Sequence, residues 1–213
     1  MRRIESKINP ASKEFTANRR NYHQVLNEFH DRQDKARFTR PERDIERLKR
    51  QNKMMPRVRL DLLLDPGTPF LEFSSLAANM AYDGDSPSAS CITGIGIVSG
   101  QEVVIIASDS TVKGGAWYPL TVKKMIRALD IALENHLPVV HLCDSAGAFL
   151  PKQAELFGDR YMAGRIFRNQ CLLSKHGGKQ LAPARGHCTA CAAQLPAPSE
   201  SGKATCRENV ATP

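Results

Sequence analysis

Residues 103–149 read VVIIASDSTVKGGAWYPLTVKKMIRALDIALENHLPVVHLCDSAGAF, and this stretch decides the fold class. It opens on a β-branched apolar run, VVIIA, bounded by polar residues, which is the composition of a short strand. A turn carrying the pair Gly114-Gly115 follows. Val122, Met125, Ile126, Leu129, Ala132 and Leu133 then recur at helical spacing. PVVHLCD is short and almost wholly apolar, the mark of a parallel strand buried on both faces. It ends in a second glycine-bearing turn, DSAGAF. Strand, turn, helix, strand, turn predicts an α/β layer built with crossover connections.

Upstream, CITGIGIVSG and EVVIIASD are two β-rich runs joined at Ser99-Gly100-Gln101, which predicts a hairpin. FLEFSSL reads as a strand or extended segment and DGDSPSAS (83–90) as a loop. Downstream, GDRYMAGRIFRNQCLLSKHG predicts a helix. KQLAPARG holds the position of a further strand, but Pro183 and Arg185 are residues that a buried central strand resists. The polar, small-residue stretch APSESGKATCRENVATP reads as a disordered tail.

The first 59 residues are different in character. They hold 17 Lys/Arg against 8 Asp/Glu, while the remainder holds 13 against 14, so the whole net charge of +8 originates there. Phe15, Tyr22, Val25, Leu26 and Phe29 share one face of a helix expected over 12–36, with Ser12 as its cap. A second helix is expected over 42–53, with Thr39 and Glu42 at capping-box spacing and Pro41 in the first turn. PRVRLDLLLD reads as a third, ending at Asp65-Pro66-Gly67. All three are expected to lie against the domain that follows. The excess charge suits either a solvated helical surface or an anionic partner such as a phosphate-bearing ligand. Aromatic residues are scarce there and fall mostly on the apolar face, which argues against nucleic-acid stacking.

No apolar run is long enough to span a bilayer. MRRIESKINPAS lacks the apolar core of a secretory signal, so the expected location is cytoplasmic and the six cysteines are expected as thiols.

Three glycine-bearing turns follow β-runs: STVKGGAWYP (110–119), DSAGAF (144–149) and GHCTACAA (186–193). Ligands of open α/β sheets bind beyond the carboxyl ends of the strands. Glycine there lets backbone N–H groups approach a ligand, and two converging N–H groups make an oxyanion hole. Each turn taken singly is an ordinary tight turn; the three together favour a site. Neither the G-x-S-x-G elbow nor a dinucleotide or phosphate-loop fingerprint is present. His141, set among apolar neighbours in a buried strand, reads as a satisfied core histidine. Cys188-x-x-Cys191, beside His187 and with Cys206 nearby, has zinc-ribbon spacing but lacks a second such pair, so no metal is expected.

Taken together, ESKINPASKEFTANR, MPRVRLDLLLDPGTPFLE, ITGIGIVSG, the stretch from ASDSTVKGG to KQAELF, and GHCTA resemble the carboxyltransferase β subunits of biotin-dependent acyl-CoA carboxylases, in the methylcrotonyl-CoA and geranyl-CoA branch. The resemblance runs in order from about residue 4 to about residue 197. It implies a crotonase-like spiral α/β domain preceded by basic N-terminal helices. The segments it suggests are a basic helical 1–59, an incomplete carboxyltransferase N-terminal domain at 60–197 and a tail at 198–213.

The resemblance also implies the chemistry. Acyl-CoA is the substrate, and no cofactor is tightly held. Biotin arrives as carboxybiotin on a biotin carboxylase/biotin carrier α subunit, and β subunits form a homo-oligomer, with neither nucleic acid nor membrane as a partner. Lys113, Gly114 and Gly115 match the family's V-K-G-G turn, and Asp144, Ser145, Ala146, Gly147 and Ala148 its D-S-G-G-A turn, with Ala146 replacing a glycine. Gly186, Cys188, Thr189 and Ala190 match G-x-C-T-A, while Cys191 and Ala192 stand where the family has paired glycines.

The amides of Ala146, Gly147, Cys191 and Ala192 are therefore the expected oxyanion donors. Lys113, Gly114, Gly115, Ser145, Ala148, Gly186 and Thr189 are the expected acyl-CoA contacts. Cβ atoms at Cys191 and Ala192 would crowd that turn. The family continues into a second domain, so the chain is read as an N-terminal fragment. It is expected to bind acyl-CoA without turnover of its own, the alternative being a non-catalytic binding or interaction remnant.

Overall fold

The computed structural model describes residues 5–156 and 159–183. These divide between Thr39 and Arg40 into two compact units. The first is one long helix, α1 (Lys13–Phe38), capped where expected: Ser12 Oγ accepts from the N–H of Phe15 at 3.0 Å. Tyr22, Val25 and Phe29 on its apolar face are exposed.

The second unit begins with α2 (Glu42–Arg50) and α3 (Pro56–Leu63). The expected capping box of α2 is not formed. Pro41 itself is the N-cap, with no side-chain cap bond, and its carbonyl accepts from Asp44 N at 3.0 Å. Five strands follow in the sheet order β1 (Leu71–Glu72), β2 (Cys91–Val98), β3 (Gln101–Ser108), β4 (Val139–Leu142) and β5 (Gln180–Leu181). β2 and β3 are the expected antiparallel hairpin. Its Ser99-Gly100 turn has both residues at positive φ, 52° and 75°, which suits the twist of the flanking strands. The Asp65 carboxylate accepts from the Ser99 and Gly100 amides at 2.8 and 2.7 Å and pins the turn.

β4 pairs parallel with β3 and with β5. Of the expected FLEFSSL strand only two residues pair. At the other edge, Pro183 ends the strand pairing expected of KQLAPARG, yet its carbonyl still accepts from Cys143 N at 3.1 Å.

Strand alternation sorts the core into two layers. Val104, Ile106 and Val139 face α4 (Pro119–Glu134), α5 (Gln153–Leu156) and α6 (Ala163–Lys175). Val103, Ile105, Val140 and Leu142 face Leu60 of α3 and the Phe70 ring. Phe70 lies so close to Gly94 of β2 that a Cβ there would collide with its ring, which explains the bare backbone in CITGIGI.

A lysine is buried inside this frame. Lys124 of α4 is 4% exposed and donates to Ser88 O, Ser88 Oγ and Cys91 O at 2.9, 2.9 and 2.5 Å. It thereby holds Ser88, Ala89 and Ser90, all three left-handed with φ near 54°. Burial draws the ammonium down to about 8 and pushes the neighbouring Cys91 thiol up to about 11.

Candidate functional site

β3 and β4 are parallel neighbours, so the turns that follow them emerge side by side at one end of the sheet. After β3, Asp109 accepts from Thr111 N at 3.1 Å and from the Thr111 hydroxyl. The chain then bends through Lys113, Gly114 and Gly115 at φ of 48°, 67° and 74°. After β4 it bends through Asp144 to Ala148, with Gly147 at φ of 97°.

The two bends are stitched together. Ala146 N donates to Gly114 O at 2.9 Å, Ser145 Oγ to Gly115 O at 2.6 Å, Trp117 N to Gly147 O at 2.8 Å and Phe149 N to Trp117 O at 3.0 Å. Gly115 is required twice over: its φ is left-handed, and a Cβ would collide with the carbonyl of Asp144.

Both amides expected as donors in the second bend have partners within the protein. The amide of Ala146 is engaged by Gly114, and that of Gly147 donates to Ser145 Oγ at 3.1 Å. The Ala148 amide makes no hydrogen bond among the described residues, and Ala148 is half-buried beside exposed Ala146. Gly186, Thr189, Cys191 and Ala192, with Cys188 and the whole third turn, lie outside the described residues.

Aromatic rings wall the stitched turns. Tyr118 stacks on Phe149 with centroids 4.5 Å apart, and Tyr82 tilts against Tyr118 at 4.9 Å. Tyr82 also accepts from Leu120 N at 3.2 Å, capping a helix whose first residue, Pro119, has no N–H. Burial, aided by the Asp85 carboxylate, raises the Tyr118 phenol. Two lysines stand at this edge: Lys113 pairs with Asp85 at 3.0 Å, and Lys152 lies 5.7 Å from the Tyr82 ring centroid. The Lys113 pair is largely exposed, so it is weak and open to exchange for another anion.

Several residues that shape the site were not singled out in the sequence. Arg40 pairs with Asp109 at 2.7 Å, Arg47 donates to Ser110 O at 2.8 Å, Lys53 pairs with Asp144 at 2.6 Å and Arg57 with Glu72 at 3.0 Å. Four of the cations behind the N-terminal charge excess are thus engaged by internal partners rather than held out toward a ligand. A signal existed for Lys53: it is a lone cation directly before the apolar Met54-Met55-Pro56.

His141 is wholly buried, and neither ring nitrogen has a partner among the described residues. Burial lowers it to about 4, which keeps it neutral. Among the described residues no group of His, Cys, Asp and Glu is arranged to hold a metal ion, and no described helix is long and apolar enough to cross a membrane.

Residues 47–202 match the profile of the carboxyl transferase domain. The chain belongs to that family. The carboxyl transferase domain is 55% identical over 150 residues to the biotin-dependent 3-methylcrotonyl-coenzyme A carboxylase β1 subunit of Mycobacterium tuberculosis, covering 70% of this chain and 28% of that protein. The geranyl-CoA carboxylase β subunit of Pseudomonas aeruginosa superposes with a TM-score of 0.66 at 34% identity, over 84% of this chain and 33% of that one. The 12S subunit of transcarboxylase, solved as a hexamer with hydrolysed methylmalonyl-coenzyme A bound, has a TM-score of 0.62 at 24% identity over 76% and 32% of the two chains, and shares the fold. The fold is therefore the crotonase-like α/β type expected, preceded by N-terminal helices. The carboxyl transferase domain here spans about a third of the length of the relatives it matches.

Proposed function

We propose that this chain forms the acyl-CoA half-site of a biotin-dependent acyl-CoA carboxylase. The bends at 113–115 and 144–148 take the thioester, and the amide of Ala148, which has no partner among the described residues, donates to its carbonyl oxygen. The single observation that supports this most directly is the stitching of the two bends. Two flexible turns would swing independently, whereas four cross-bonds and a glycine contact hold these in one orientation. A preorganised donor is worth more than a mobile one, because no reorganisation is needed as charge develops. Lys113 and Lys152 suit the phosphates of coenzyme A.

In the complete reaction a carboxyl carbon moves from a biotin nitrogen, carried on a separate α subunit, to the acyl carbon that the thioester acidifies: the α-carbon of a saturated acyl chain, or the γ-carbon of 3-methylcrotonyl-CoA, whose double bond extends the conjugation. The proton of that carbon passes to the biotin nitrogen as the nitrogen–carboxyl bond breaks. This chain polarises the thioester so that the carbon can lose that proton. The acyl-oxyanion donors assigned to Cys191 and Ala192, the contacts of Gly186 and Thr189, and assembly with further β subunits belong to the same proposal.

The test is titration of the purified chain with 3-methylcrotonyl-CoA, followed calorimetrically, and a parallel assay for carboxylated product with carboxylated free biotin. Saturable binding with tighter affinity for the acyl thioester than for coenzyme A is expected. No heat with either ligand would sink the reading; binding without product assigns the chain a binding role alone.

A further inference from the structure

We infer that Lys53 is a positioning residue for this half-site: its ammonium fixes the carboxylate of Asp144 and, through it, the direction in which the 144–148 backbone points. The inference rests on the acyl-CoA reading given above.

Lys53 lies in the short link between α2 and α3, and its own N–H is tied to Leu48 O at 2.9 Å. Its backbone is thus anchored to the last turn of α2, while its side chain crosses to a residue 91 positions later, reaching Asp144 Oδ1 at 2.6 Å. The two side chains are 18% and 6% exposed, so water screens the pair poorly. Most of the lysine side chain is covered, unlike a group held out toward a ligand. Its partner, however, is the pivot of the second bend. The Asp144 carbonyl backs directly onto Gly115, Ser145 bonds Gly115 O, and Ala146 bonds Gly114 O. Any rotation at Asp144 is passed to the Ala148 amide four residues on.

The other cations of this segment act elsewhere. Arg40 and Arg47 grip the chain at Asp109 and Ser110, before the first bend, and Arg57 grips Glu72. A neutral residue at 53 would leave the Asp144 carboxylate nearly buried without a counter-charge. The carboxylate would then turn toward water and carry the bend with it.

The experiment compares the full chain with its Lys53→Met and Lys53→Arg variants, each titrated with 3-methylcrotonyl-CoA and with coenzyme A. Lys53→Met is expected to weaken acyl-CoA binding roughly tenfold, the equivalent of one hydrogen bond lost at the thioester, with coenzyme A held to within about twofold. Lys53→Arg, which keeps the charge, is expected to restore most of the difference. A residue that merely supports the fold would weaken both ligands in parallel, and that result, or an unchanged ratio, overturns the inference. If the wild-type chain binds neither ligand, the half-site reading itself fails. If the wild type binds and Lys53→Met binds identically, only the role of Lys53 fails. Should Lys53→Met lose its cooperative melt, Lys53→Gln is measured in its place. If neither neutral variant folds, Lys53 is a folding residue and the inference is overturned.

Discussion

Arg40 Nη2 lies 2.7 Å from Asp109 Oδ2, across 69 residues of sequence, with both side chains about 95% shielded from solvent. The same guanidinium donates from Nε to Thr111 Oγ1 at 2.9 Å. A single arginine at the start of the second unit therefore fixes the exit of β3, from which the first bend of the site departs. Removing one partner of such a pair leaves an uncompensated buried charge. Arg40→Met is expected to lower the unfolding free energy by about 3–5 kcal/mol in a urea melt. The double variant Arg40→Met/Asp109→Leu is expected to lose less than Arg40→Met alone.

The neighbouring glycines of the first bend separate two effects. Both have positive φ, but a Cβ at Gly114 would meet only Ala146 Cβ at 3.5 Å, an ordinary contact, while one at Gly115 would strike the Asp144 backbone. Gly114→Ala should cost about 1 kcal/mol, from backbone strain alone. Gly115→Ala should cost clearly more and abolish acyl-CoA binding, since the bends can no longer close on each other. Thermal melts with parallel titrations check both.

Ser145 joins three parts of the site through one oxygen, which donates to Gly115 O at 2.6 Å and accepts from Gly147 N at 3.1 Å. Ser145→Ala removes both bonds in a buried setting. A loss of about 1–3 kcal/mol is expected, together with faster hydrogen exchange at the Gly147 amide. Unchanged exchange there would mean that the hydroxyl does not hold the bend.

His141 gives the fold an acid-sensitive point. Folded, it stays neutral down to about pH 4, whereas the unfolded chain takes up its proton near the ordinary 6.5. Between those values the unfolded state binds more protons, so stability rises with pH and is lost on acidification from 6.5 to 4. The loss amounts to about 3 kcal/mol, at 1.4 kcal/mol per pH unit. In denaturant melts across that window the wild type should lose about 3 kcal/mol more than His141→Leu as the pH falls. Parallel curves would remove the histidine from the account.

Much of the larger unit is legible in the sequence because its elements follow a strict period. The α4 stripe, the almost wholly apolar VVHL strand and the Ser99-Gly100 turn each carry a local signal that tertiary packing does not oppose. The two glycine bends were legible as turns for the same reason. Their mutual bonding was not, because it depends on β3 and β4 being adjacent and parallel, a relation that no window of sequence contains. Nor could the sequence foresee that the amides of Ala146 and Gly147 would be used in that bonding, leaving Ala148. The charge count of the first 59 residues suited either a solvated surface or an anionic partner, but Arg40, Arg47, Lys53 and Arg57 turn inward, and long-range ion pairs leave no periodic trace. FLEFSSL has strand composition throughout but pairs at only two residues, since Ser74 adopts a left-handed φ of 57° that ends the ladder.

The coil of Ser88, Ala89 and Ser90 winds with the hand opposite to that preferred by L-amino acids, a conformation that costs roughly 1–2 kcal/mol per residue in isolation. Lys124, which tethers it, belongs to a helix that forms more than thirty positions later in the chain. The coil can therefore settle only after α4 has docked, and the start of β2 at Cys91 must wait with it. That dependence gives the hairpin a direction of assembly: it zips from its tip at Ser99-Gly100 and locks last at its root. In pulse-labelled refolding, amides at 88–91 should gain protection later than those at 103–105.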